Sequence, residues 1–142
     1  MRLTESQLKS KILKTYNLKN GIAHFFENFV VIETSEGVFS DFENSKDLIS
    51  LIDLHFGTQK PFGIISNRVN SYSINILDSE KFKQRFPNAI AKAVVAYSNR
   101  TTDISKLESY FCHIKRKDFT CLLESEKWMR KELNNSNVTY LR

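Results

Sequence analysis

Nine residues, AIAKAVVAY at positions 89–97, constrain the fold of this chain most. They are apolar and mostly small or β-branched, and they sit between Pro87-Asn88 and Ser98-Asn99. Alanine alone favours a helix. A run this short between turn signals instead suits a central strand buried on both faces, which reads as near-continuous apolar sequence. Such a strand needs helices on both sides of its sheet.

The remaining sequence supplies them. Residues 10–18 alternate as a strand, and Lys19-Asn20-Gly21 is a turn. Ile22-Ala23-His24-Phe25-Phe26 and Phe29-Val30-Val31-Ile32-Glu33-Thr34 flank the polar pair Glu27-Asn28, the pattern of a hairpin. Leu48, Ile49, Leu51, Ile52 and Phe56 recur at helical spacing, with Asp41 or Asn44 as the cap and Gly57 just past the end. Pro61 opens a strand through Ile65, and a polar loop follows over residues 66–75. Asp78 caps a short helix carrying Phe82 and Phe86, which Pro87 ends.

Thr102 or Asp103 opens a helix whose apolar face is Ile104, Leu107, Tyr110, Phe111 and Ile114. A short strand closes at Phe119. Thr120 opens the last helix, with Leu122, Met129 and Leu133 inward and Trp128 flanking them. Strands alternating with helices imply a mostly parallel sheet. The expected fold is α/β: a mixed, mostly parallel sheet with an N-terminal antiparallel hairpin and about four helices. The length favours a single domain over residues 1–142, with its core over 10–133 and a flexible tail over 134–142.

Net charge is +5, and residues 61–142 carry 14 basic against 8 acidic side chains. The densest cluster, Lys115-Arg116-Lys117, reads as a solvated loop before a strand. A basic half suits a nucleic-acid or anionic partner, but no nucleic-acid reading motif accompanies it, so nucleic acid is not expected. The longest apolar runs fall far short of the roughly 20 residues of a membrane span. The start, MRLTESQLKSKILK, has cations without an apolar block behind them, unlike a signal peptide. The expectation is a cytoplasmic chain with Cys112 and Cys121 as free thiols.

No catalytic constellation stands out. His24, His55, His113, Cys112 and Cys121 lack the paired spacing of a metal clamp, so neither metal nor cofactor is expected. There is no Gly-x-Ser-x-Gly elbow, and Gly63 stands alone without a phosphate loop. Phe25, Phe26, Phe29, Tyr110 and Phe111 fall at strand or helix spacing and read as core. The aromatic excess, 11 Phe and 5 Tyr, also allows an apolar, aromatic-lined cavity. The 66–75 loop follows a parallel strand, where open α/β folds bind ligands and partners. Asn67, Arg68, Asn70, Tyr72 and Ser73 are therefore the candidate binding residues. Arg68 suits a carboxylate or phosphate, Tyr72 a buried anchor, and the asparagines either knit the loop or make contacts.

Four strings carry a resemblance: FFENFVVIETSEGV (25–38), IISNRVNSYSIN (64–75), AIAKAVVAYS (89–98), and the spacing of Phe119, Glu124 and Trp128. Over residues 10–133 the chain resembles the SpoIIAA-like family of STAS-type α/β domains, in a branch of short stand-alone bacterial proteins. The resemblance implies a sheet of four to six strands with helices, no known enzymatic activity, and often a homodimer. The wider group includes phospho-switched anti-anti-sigma factors and transporter-attached regulatory domains, and relatives have been compared with CRAL-TRIO lipid-exchange domains. Where anti-anti-sigma factors carry Asp-Ser-Ser-Gly, this chain has Asp78-Ser79-Glu80, without the second Ser and the Gly. Ser79 is thus the phosphoswitch position the resemblance implies, against a plain helix start capped by Asp78. The functional expectation is a non-enzymatic protein-interaction or regulatory domain. The alternative is binding of a small apolar molecule or lipid in an aromatic-lined cavity.

Overall fold

The computed structural model describes residues 1–140, with side chains through Ser136. Its strands are β1 (Lys14–Leu18), β2 (Gly21–Phe25), β3 (Phe29–Thr34), β4 (Phe39–Ser40), β5 (Phe62–Arg68), β6 (Ser73–Ile74), β7 (Ala89–Ala96) and β8 (Lys115–Phe119). Its helices are α1 (Lys46–Phe56), α2 (Ser79–Arg85), α3 (Asn99–Ser109) and α4 (Leu122–Tyr140). Six strands form one mixed sheet in the order β1-β2-β3-β5-β7-β8. The β1–β2 and β2–β3 pairs are antiparallel, and the β3–β5, β5–β7 and β7–β8 pairs are parallel. β4 and β6 pair separately as a short parallel strap.

Alternation along the strands divides the core in two. Phe29, Val31, Ile65, Ala91, Ala93 and Val95 face α4 and the 3-10 turns at Leu3 and Leu8. Ala23, Phe25, Val30, Phe62 and Ile64 face α1 and α2 on the other side. α4 lies so close to β5 that a Cβ at Gly63 would overlap the Met129 side chain; glycine is what permits the approach. Ring stacking ties the second core together, with Phe56 and Phe62 centroids at 4.7 Å and Phe25 over His55 at 4.0 Å.

The fold class agrees with the expectation, and β7 is the doubly buried strand inferred from residues 89–97. Several details differ. β1 starts only at Lys14, because Gln7–Lys11 is a 3-10 turn. Ser45 and Ser98 occupy the N-cap positions of α1 and α3. Lys115, Arg116 and Lys117 belong to β8, paired with Ala91, Lys92 and Ala93. α4 continues through Tyr140, into the segment assigned to a tail; Leu141 and Arg142 lie outside the described residues.

The largest departure is α3. Its inward side chains are Ser105 and Glu108, while Leu107 is 61% and the following Tyr110 84% exposed. Of the apolar stripe read as its core face, Ile104, Leu107, Tyr110 and Phe111 are exposed, and only Ile114, beyond the helix end, is buried in the second core. Charged groups on the sheet below fix this orientation, and they define the site.

Candidate functional site

On the α1–α3 side of the sheet, a cavity of about 190 Å³ lies between the sheet and the strap formed by β4, β6 and their flanking residues. Ile32 and Ile64 of the sheet, Leu48 and Ile52 of α1, and Ile74 of the strap make one end apolar. Lys92, Arg116 and Glu108 line the other. A cavity of about 150 Å³ accommodates a benzene ring, so this one has room for a ring or short chain with a small polar head. The lining is more aliphatic than aromatic. Phe42, Phe82, Phe111 and Tyr72 contribute to it, whereas Phe25, Phe56, Phe62 and Phe86 are spent on the core.

The charged end is built by strand register. Ile64 pairs with Lys92, and Lys92 pairs with Arg116, so one row across the sheet runs from apolar to cationic. Arg68, 5% exposed, makes a two-pronged contact with Glu108, Nη1 donating to Oε1 at 2.6 Å and Nη2 to Oε2 at 3.3 Å. Arg116 Nη2 donates to the Ser105 carbonyl (3.0 Å) and hydroxyl (2.7 Å) and lies 3.5 Å from Glu108 Oε1. Its Nε lies 3.5 Å from Asp118 Oδ1 and makes no hydrogen bond. Ser105 and Glu108 point inward because these sheet-borne cations need partners, and a buried unpaired ion is costlier than an exposed leucine.

Lys92 is the exception. Among the described residues none hydrogen-bonds to or ion-pairs with its ammonium. Burial, and then the nearby Arg116 charge, push its pKa below the ordinary lysine value. The residue is half-buried and lines the cavity, and an amine perturbed by desolvation beside a cavity marks a candidate site. Tyr72 borders the same space. Burial raises its phenol pKa, and its hydroxyl faces Thr34 and Ser66.

Four of the five loop candidates, Arg68, Asn70, Tyr72 and Ser73, line a second pocket of about 270 Å³ with Arg100 and Thr101, and Asn67 does not. β5 runs through Arg68, so Asn67 and Arg68 are strand residues and only Val69–Tyr72 bridges to β6. Asn67 is fully buried on the α4 side. It donates to Glu33 Oε2 (2.7 Å) and to the Met1 carbonyl (2.9 Å), and accepts from the Tyr97 hydroxyl (2.6 Å). Arg68 finds its carboxylate within the chain. Asn70 donates to the Thr34 carbonyl at 3.0 Å, holding the bridge. Ser73 lies in β6, its N–H donating to Val38. Tyr72 alone of the five also lines the first cavity, its ring 4.4 Å from the Arg68 guanidinium carbon. Ser79 is the first residue of α2 and also lines the cavity; its hydroxyl accepts from the His113 N–H at 3.1 Å. Asp78 makes no side-chain cap bond and instead accepts the Phe42 N–H at 2.7 Å.

Lys92 and Glu108, the two groups that define the charged end, carry no local sequence signal. Lys92 sits within an apolar strand and Glu108 within a helix otherwise read by its hydrophobic stripe. Their roles come from strand register and helix rotation.

The opposite face holds a second polar cluster. Thr15 Oγ1 lies 2.8 Å from His24 Nδ1, and His24 Nε2 lies 3.6 Å from Glu33 Oε1 without a hydrogen bond. This superficially resembles a nucleophile–base–acid series, but the base–acid contact is too long. Glu33 is occupied elsewhere, accepting the Leu3 N–H (2.8 Å) and Asn67. The cluster clamps the chain's first residues against the sheet. Burial and the Glu33 charge push the Tyr97 pKa up to about 12.

Among the described residues no three His, Cys, Asp or Glu side chains converge as a metal site. Nor is any helix among them long and apolar enough to cross a membrane. No family model, no curated protein and no solved structure matches the chain.

Proposed function

We propose that this chain is a non-enzymatic small-molecule-binding domain of SpoIIAA-like type, whose ligand occupies the cavity beneath the β4–β6 strap. The observation that carries this reading is the cavity itself: apolar at one end, charged at the other, and large enough for a small ring or chain. Ligand sites combine these features, a mostly apolar lining with a few placed polar groups. Two of its lining residues are held from behind, Glu108 by Arg68 and the Thr34 carbonyl by Asn70. Native mass spectrometry of freshly purified protein, followed by acid release and identification of bound mass, tests this directly. A stoichiometric small molecule released on unfolding is expected. Its absence, together with no stabilisation by any small apolar acid or alcohol, overturns the reading.

A second reading, as a protein-interaction or regulatory domain, is favoured by the outward stripe of α3 and the turn after it. Ile104, Leu107, Tyr110 and Phe111 are all exposed. Exposed apolar patches commonly mark interfaces, and two copies pairing through this helix would need no further chain. Light scattering on wild type and Leu107→Asp separates the cases. A dimer that Leu107→Asp dissociates supports the second reading, and a wild-type monomer at high concentration removes self-pairing.

A further inference from the structure

We propose that the ligand of this cavity is a compact carboxylic acid, with an apolar body over Ile64 and Ile32 and its carboxylate held by Lys92 and Arg116. This inference rests on the cavity being a ligand site and adds the chemical class of the ligand.

Three observations carry it. The first is the charge ledger at the β7–β8 end of the cavity. Arg68, Lys92 and Arg116 are the cations there; Glu108 and Asp118 are the carboxylates that answer them, and the Cys112 thiol and Glu108 are the groups that favour the charged form of Lys92. Glu108 is engaged by Arg68 and Arg116, and Asp118 by Arg116 and the Ser105 hydroxyl. One positive charge is left over, and it belongs to Lys92. The acids near the strap do not reach it, because Asp78 accepts the Phe42 N–H and pairs with Lys81, and Asp41 accepts the Asn44 N–H. A single carboxylate closes the ledger. A phosphate monoester, carrying about 1.5 to 2 negative charges, would overshoot it.

The second is register. Lys92 and Arg116 sit directly opposite one another on β7 and β8, on the cavity face. Like charges in that relation destabilise a sheet. An anion between them, on the cavity side that both residues line, converts the repulsion into two attractions.

The third is polarity along the row. Beyond Lys92 the neighbour across the sheet is Ile64 of β5, and Ile32 of β3 borders the same space, with Leu48 and Ile52 of α1 closing it. The apolar part of the ligand therefore extends away from β8, over β5 and β3. The volume limits that part to a ring or a short chain.

The test compares three six-carbon probes that differ in the head group, hexanoate, 1-hexanol and hexylamine, by calorimetry near pH 7 on the full chain and on Lys92→Met. The expected order for wild type is hexanoate over hexanol by about tenfold or more, the weight of one charge-assisted contact, with hexylamine weakest. Lys92→Met should lose the preference for the acid while keeping the weaker binding of hexanol. Equal affinity of wild type for acid and alcohol overturns the carboxylate assignment and leaves the cavity reading standing. Failure of all three probes on a folded wild type overturns both. An Arg116→Gln chain that retains full acid preference removes Arg116 from the pair.

Discussion

Replacing Lys92 by methionine is expected to make the protein more stable. Methionine has nearly the same length and fills the same space without a charge. In the folded chain the ammonium is desolvated, lacks a protein partner and faces Arg116 across the β7–β8 register. Like unit charges on neighbouring cross-strand positions at an effective dielectric near 20 repel by on the order of 1–3 kcal/mol. Cys112 and Glu108, which favour the charged form, offset part of this. Replacing a whole buried ion pair by apolar side chains is often neutral or stabilising by about 1–4 kcal/mol, and a single half-buried ammonium lies at the lower end of that range. The net expectation is a gain of about 1–2 kcal/mol, or a rise of about 3–6 °C in Tm for a chain of this size.

The pH dependence has a definite sign. The folded-state pKa of Lys92 is lowered, so its penalty is fully present below that value. It disappears as pH rises toward the unfolded value near 10.4, because there the unfolded chain binds the proton and the folded chain does not. The advantage of Lys92→Met should therefore be largest near pH 7 and shrink by about pH 10. Urea unfolding at the two pH values, followed by far-UV circular dichroism and Trp128 fluorescence, measures it. A variant less stable than wild type near pH 7, or an advantage that does not change with pH, would refute the reasoning, since either result means that Lys92 has a stabilising partner.

Three further perturbations address the scaffold. Glu33 is held below the ordinary carboxylate range; burial raises its pKa, but the His24, Leu3 and Asn67 contacts outweigh it. Its contribution is present above about pH 4.3 and lost as pH falls through the lower folded value, so Glu33→Gln should flatten the acid limb of a urea-stability profile between about pH 5 and 3. Gly63→Ala pushes a methyl into Met129 and should cost about 1–3 kcal/mol by denaturant titration; Gly63→Ala combined with Met129→Leu should recover part of it. Arg68→Met leaves Glu108 with only Arg116 beside it and should cost about 3 kcal/mol; a loss below about 0.5 kcal/mol would mean that the buried contact is not formed in solution.

The architecture was legible because it rests on periodicity. The apolar run of β7, the hairpin around Glu27-Asn28 and the Leu48–Phe56 spacing each report local burial, and tertiary packing agrees with them. α3 was misread because periodicity reports which face is apolar, not which way it turns. There the pull of Arg68 and Arg116 on Glu108 outweighs burial of Leu107 and Tyr110. Asn67 and Arg68 read as loop because polar residues after Ile65 resemble loop sequence, yet each has a buried partner distant in the chain, Glu33 and Glu108. Lys92 was hidden for the complementary reason. Within an apolar strand it looks like an ordinary interruption, and only the pairing with Arg116 and the cavity above it give it meaning.

Methyl-resolved NMR during a titration with hexanoate tests the cavity reading most directly. The methyl groups of Ile32, Ile64 and Ile74 line the cavity, while Ile65 on the opposite sheet face is an internal control. The expected result is saturable movement of the three cavity methyls with Ile65 unmoved. Cavity methyls that stay still, or movement confined to the exposed face of α3, would contradict it.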